Sequence, residues 1–122
     1  MNIGELLEYQ AQKYQDKTFL FFEEEKISYR ELNTKADNLA RYLLSKGVET
    51  EDIVAVTLEP SLEMIIGLLG ILKAGAAFLP VDPAYPEDRI DYMLKDSDAK
   101  LLITQQYIKY NGLLHIERIY HD

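Results

Sequence analysis

Three short, unbroken apolar runs, IVAVTL (53–58), AFLPV (77–81) and KLLIT (100–104), are separated by two segments each long enough for a helix. That spacing constrains the fold more than any other feature. A strand without polar alternation is buried on both faces, as in a parallel sheet with helices on either side. Parallel neighbours need a crossover connection, and the intervening segments supply it. The first, opened by Pro60 and Ser61, runs to Lys73 and is apolar nearly all round, which predicts a heavily buried helix. Gly67 and Gly70 let it approach a neighbour closely, at about 1 kcal/mol of helix propensity each, and Gly75 stops it. The second begins at Pro86, whose fixed φ suits the first helical position, with Glu87 and Asp88 at the positive end. Ile90, Met93 and Leu94 form its inward stripe, and AFLPV reads as a second buried strand. With right-handed crossovers, residues 51–104 build a βαβαβ unit, a three-stranded parallel sheet with flanking helices. The fold class is α/β.

Residues 1–50 read as helix, hairpin, helix. Ile3, Leu6, Leu7, Ala11 and Tyr14 share one helical face, and Asn2 with Glu5 has capping-box spacing. TFLFFEEEKIS (18–28) reads as two short strands around an acidic turn. Glu23, Glu24 and Glu25 are either a solvated hairpin tip or a functional acidic patch. ISYREL (27–32) is a helix start: Ser28 caps, Glu31 reaches back to the Ser28 amide, and Ile27 with Leu32 makes a hydrophobic staple. The helix runs to about Lys46, with Leu32, Ala36, Leu39, Ala40 and Leu43 as its buried stripe and Gly47 as a left-handed stop. The tail, 105–122, is ambiguous: YNG marks a turn, and LLHIERIY is compatible with a further strand.

At 122 residues the chain is one domain or one piece of a larger one, and 48% hydrophobic content suffices for a packed core. A net charge of −8 argues against nucleic acid and anionic membrane surfaces as partners. No apolar segment approaches the roughly 20 residues of a membrane span. Glu5 and Glu8 interrupt the amino terminus where a signal peptide needs an apolar run. Cysteine is absent, which removes disulfides, thiolate catalysis and cysteine metal sites and is compatible with a reducing compartment. The expectation is a soluble, cytoplasmic chain.

Ligands of such sheets bind at the carboxyl ends of the strands. Here those ends read LEPS, VDPAYP and ITQQ. None is GxGxxG or GxxxxGK(S/T), so none is a phosphate-cradling loop. His115 and His121, without cysteine partners or HExxH spacing, are solvent-exposed residues or a sparse metal pair. No serine sits in a GxSxG elbow. Asp82 is a turn-former ahead of Pro83 or a functional carboxylate. The nine tyrosines are spread along the chain, as core and rim packing or as a stacking surface. The residues themselves assign no catalytic, cofactor-binding or metal-ligating position.

Two of these scaffold devices together carry a resemblance. ISYREL resembles the first core motif of the adenylate-forming superfamily, as found in nonribosomal peptide synthetase adenylation domains. LKAGAAFLPVDPAYPEDRI (72–90) resembles their second, with the P-x-Y-P-x-x-R-I that follows it. The departures are conservative: Ile27 for Leu, Phe78 for Tyr, Val81 for Leu or Ile. The likeness continues through DIVAVTLEPSLEMIIGLLGILKAG and YMLKDSDAKLLIT, so it covers nearly the whole chain. It implies part of the adenylate-forming large-domain fold, with 1–122 as the amino-terminal portion of an AMP-binding adenylation domain. It also implies a reaction in the intact protein: an amino acid and ATP give aminoacyl adenylate and pyrophosphate with Mg²⁺, and the acyl group passes to a carrier-protein phosphopantetheine thiol. The family's phosphate loop, amino-acid pocket, ribose-binding aspartate and catalytic lysine have no counterpart in this sequence. The resemblance therefore carries over no site residue and no cofactor to this chain. The partners it implies are the remainder of the adenylation domain and neighbouring condensation and carrier-protein domains, or a complementary chain if this is a split binding module. Self-association through an exposed sheet edge is expected of the chain alone.

Overall fold

A computed structural model describes residues 18–22, 25–58, 61–105 and 116–120. The helix expected around Ile3 to Tyr14, Glu23 and Glu24 at the hairpin tip, Pro60, His115 and His121 lie outside the described residues. Strand β1 (Thr18–Phe22) pairs antiparallel with β2 (Glu25–Ser28), and helix α1 (Tyr29–Ser45) follows at once. Then come β3 (Ile53–Thr57), α2 (Leu62–Lys73), β4 (Ala77–Pro80), α3 (Glu87–Ser97), β5 (Leu101–Thr104) and β6 (Glu117–Tyr120). The last four strands form one parallel sheet in the order β4-β3-β5-β6. The ambiguous tail thus supplies a fourth strand to the sheet expected to have three.

The start of α1 is built as ISYREL implies, with one change. Ser28 Oγ accepts from the Glu31 N–H at 3.2 Å, which is the expected cap. The Glu31 carboxylate meets the Ser28 hydroxyl, at 3.3 Å, where the sequence pattern pointed to the amide. Ser28 is also the last residue of β2, in register with Thr18, so its backbone belongs to the hairpin. Ile27 and Leu32 are buried together with Leu62 and Ile66, and this staple fastens hairpin, α1 and α2 to one another. Leu32, Ala36, Leu39, Ala40 and Leu43 are the buried face of α1. Gly47, at φ +86°, ends the helix, and Val48 donates back to the Leu43 carbonyl.

The sheet separates two layers of helices. Val54 and Val56 of β3 and Leu101 and Ile103 of β5 pack with Leu39 and Leu43 of α1 and Ile71 of α2. Ala55 and Leu102, on the opposite face, meet Ile90 and Leu94 of α3. Gly70 is where α1 and α2 touch: a Cβ there would lie 2.7 Å from Leu39 Cδ2 and 2.9 Å from Leu39 Cβ. Gly67 is less crowded, its added Cβ meeting Leu58 at 3.5 Å, so the close approach rests on Gly70. Lys73 and Asp37 close the same seam with an ion pair at 2.8 Å. Two expectations need correcting. Pro86 caps α3 from outside and Glu87 is the first helical residue. And β4, read as a buried strand, is the sheet's edge: Ala77, Phe78 and Pro80 are exposed and Leu79 is half-buried.

Candidate site at the carboxyl ends of the strands

The chain leaves β3 for β4 on one side, while β5 and β6 are laid down on the other. The topological switch point therefore lies between β3 and β5, where open α/β sheets take their ligands. Thr57 and Thr104 are register partners there. Alternation along each strand puts Thr57 on the face of Ala55 and Thr104 on the face of Leu102, both toward α3. Thr57, Thr104 and the adjoining Gln105 are buried polar residues. The Thr57 hydroxyl finds no hydrogen-bond partner among the described residues.

Beside this pair, a cleft of ≈ 540 Å³ opens between the ends of β3 and β4, walled by Leu58, Met64, Pro80, Val81 and Tyr85, with Asp82 at its rim. The structure decides between the two readings of Asp82 in favour of the turn. Its Oδ1 accepts from the Ala84 N–H at 2.9 Å, and its carbonyl accepts from the Tyr85 N–H at 3.0 Å. The Arg89 guanidinium sits 4.0 Å from the centre of the Tyr85 ring. The tyrosine and arginine of P-x-Y-P-x-x-R thus hold each other, and the loop is clamped to the first turn of α3. The i, i+4 spacing of Tyr85 and Arg89 was the available signal for this contact. The unpartnered Thr57 had none, because the sequence does not say which strand lies beside β3.

Chemically, the cleft offers apolar walls, an aromatic ring and one carboxylate already engaged in a turn. Among the described residues that line it, no nucleophile stands beside a general base. No group of three or more His, Cys, Asp or Glu among the described residues is placed to hold a metal ion. No described helix is long and apolar enough to cross a membrane. At the far end of the sheet Lys46 hydrogen-bonds Glu117 at 2.7 Å, and that contact raises the Lys46 pKa above its ordinary value.

Comparison with known proteins agrees with this architecture. Residues 7–119 match the family described as AMP-binding enzyme. Bacitracin synthase 2 of Bacillus licheniformis is 51% identical over 107 residues, which are 88% of this chain and 4% of that protein. Tyrocidine synthase 1 of Brevibacillus parabrevis is 48% identical over 107 residues, 88% of this chain and 10% of that one. Among solved structures, the nonribosomal peptide synthetase FmoA3 superposes with a TM-score of 0.94 at 27% identity, over 100% of this chain and 13% of its own. The Klebsiella oxytoca NpsA N-terminal subdomain gives a TM-score of 0.85 at 29% identity, over 98% of this chain and 31% of its own. The chain therefore spans a small part of the relatives it matches. It belongs to the AMP-binding enzyme family, among the adenylation domains of nonribosomal peptide synthetases.

Proposed function

We propose that the chain is the amino-terminal scaffold of an amino-acid-activating ligase. The observation that carries this reading is 51% identity to bacitracin synthase 2 across 107 residues, 88% of this chain. In the intact protein, an amino acid carboxylate and ATP give aminoacyl adenylate and pyrophosphate, and the acyl group passes to a carrier-protein phosphopantetheine thiol. Mg²⁺ and fixed donors neutralise charge on the transferring phosphoryl group in such reactions. Residues 1–122 are the amino-terminal portion of that domain: 1–50 as helix, hairpin and helix, 51–104 as the βαβαβ unit, 105–122 as the tail. The chain itself holds no catalytic, cofactor-binding or metal-ligating residue and works in the cytoplasm. Its partners are the remainder of the adenylation domain and the adjoining condensation and carrier-protein domains, and alone it self-associates weakly through its open sheet edge.

The test is ATP–pyrophosphate exchange. The purified chain alone should be inactive with every proteinogenic amino acid. Added to a tyrocidine synthase 1 adenylation domain lacking the segment that aligns with it, the chain should restore amino-acid-dependent exchange. Exchange by the chain alone, surviving repurification and requiring Mg²⁺, would refute the scaffold reading.

A further inference from the structure

We propose that Arg89 is a positioning residue. Acting through the Tyr85 ring, it holds loop 81–86 in the shape that walls the cleft beside β4, ready to receive an apolar segment of the remaining adenylation domain. The occupant rests on the scaffold reading above; the action of Arg89 on the loop does not.

The loop is a turn closed on itself. Pro83 and Pro86 have no N–H, and the Ala84 and Tyr85 donors both return to Asp82, at 2.9 and 3.0 Å. Residues 83–86 therefore send no backbone donor to another element. The Tyr85 ring fastens the turn to the body. It is half-buried against the cluster of Val81, Ile90, Leu94 and Leu102, and it lines the ≈ 540 Å³ cleft. The Arg89 guanidinium lies 4.0 Å from its centre, well within cation–π range.

Helix stability does not account for an arginine at this position. Arg89 is exposed and stands in the first turn of α3, two residues after Glu87. The helix dipole favours Glu87 and Asp88 there and disfavours a cation. Its contact with Tyr85 supplies the missing reason. A glutamine at 89 would suit the helix better and the loop worse, and these opposite signs make the role measurable.

The occupant follows from the lining and from length. Leu58, Met64, Pro80 and Val81 offer apolar contact, and the carboxylate in the lining, Asp82, is engaged in its own turn. The NpsA subdomain holds 98% of this chain's fold in 31% of its own length, so most of that folded body lies outside the part matched here. A wall ordered beforehand spares incoming chain the entropy of fixing it. A wall in place in only a fraction of molecules would weaken the apparent affinity by that fraction.

The experiment is amide hydrogen exchange on the 122-residue chain carrying Arg89→Gln, Arg89→Lys or Tyr85→Phe. An exposed cation–π contact shifts an opening equilibrium by about two- to fivefold, so Arg89→Gln should speed the Ala84 and Tyr85 amides by that factor. The Val81 amide, held by the Val56 carbonyl at 2.8 Å, should not change. The urea midpoint should hold or rise, because a cation has left the helix start. Arg89→Lys should fall between, and Tyr85→Phe, which keeps the ring, should match the parent at Ala84. Unchanged loop amides in Arg89→Gln overturn the positioning role, as does faster exchange shared by Val81 together with a lower midpoint. With the shortened tyrocidine synthase 1 domain, Arg89→Gln should raise the chain concentration for half-maximal ATP–pyrophosphate exchange by about two- to fivefold and leave the plateau rate unchanged. A lower plateau at an unchanged half-maximal concentration overturns the proposed occupant. A parent chain that restores no exchange overturns the scaffold reading, while the loop amides still decide the role of Arg89.

Discussion

Thr57 carries a hydroxyl where the surroundings ask for a methyl. Its Oγ1 is buried without a partner among the described residues, and a buried polar atom in that state costs about 1–3 kcal/mol. Valine has nearly the same shape and no such atom. Thr57→Val should raise stability by about 1–2 kcal/mol in a urea titration; no gain would reveal that the hydroxyl is satisfied after all. Ser28 is the opposite case, a surface hydroxyl used twice, accepting from the Glu31 N–H and donating to the Glu31 carboxylate. Ser28→Ala should cost about 1 kcal/mol. Asp caps helices as well as Ser does, but here it would set a second carboxylate against Glu31. Ser28→Asp should therefore fall between the parent and Ser28→Ala at low salt and move toward the parent as salt screens the repulsion, read from denaturation midpoints at several ionic strengths.

Between elements, the α1–α2 seam concentrates the dependence on single side chains. Gly70→Ala gains about 1 kcal/mol of helix propensity. The added Cβ would sit 2.9 Å from both Cβ and Cγ of Leu39, atoms near the backbone that cannot swing away. Overpacking of this kind costs about 1–3 kcal/mol, so the net effect should be a loss, measurable as a lower melting temperature. Lys73 is 6% exposed in its side chain and Asp37 is 29% exposed. Removing the carboxylate takes one partner from a nearly buried ammonium, and because water still reaches one side Asp37→Ala should cost about 1–3 kcal/mol, less than a fully enclosed pair. The double variant with Lys73→Met should recover part of that loss in a mutant cycle. The same elements show how far sequence reasoning reaches. The period of α1 picked out all five of its buried residues, because a helix's inward face is written in its own spacing. Burial of β4 was misjudged because a strand's place in the sheet depends on strands elsewhere in the chain. Pro80 was the local clue, since a proline inside an apparent central strand argues for an edge. In the candidate site, Asp82 was legible as one of two alternatives, whereas the Thr57–Thr104 pairing depends on register across the sheet and was not.

At the scale of the whole molecule, net charge −8 works against compactness. Raising sodium chloride from about 0.05 to about 0.5 M shortens the Debye length from about 14 to about 4 Å. The urea midpoint should rise over that range, because salt screens the repulsion within an acidic surface that carries a net charge of −8; a falling midpoint would mean that ion pairs dominate. The proline at the end of β4 has a further consequence, for the order of assembly. A polypeptide synthesised from its amino end releases β3 and β4 first, and their pairing leaves one usable flank, the free side of β3. β5 occupies it and exposes its own far side, which β6 then takes. Each strand emerging from the ribosome thus finds a single docking line, with misplacement on the opposite flank discouraged from the start. The entropy of closing each connection rises by only about 0.6 kcal/mol for every doubling of its length, so long insertions between later strands would leave that one-way order intact.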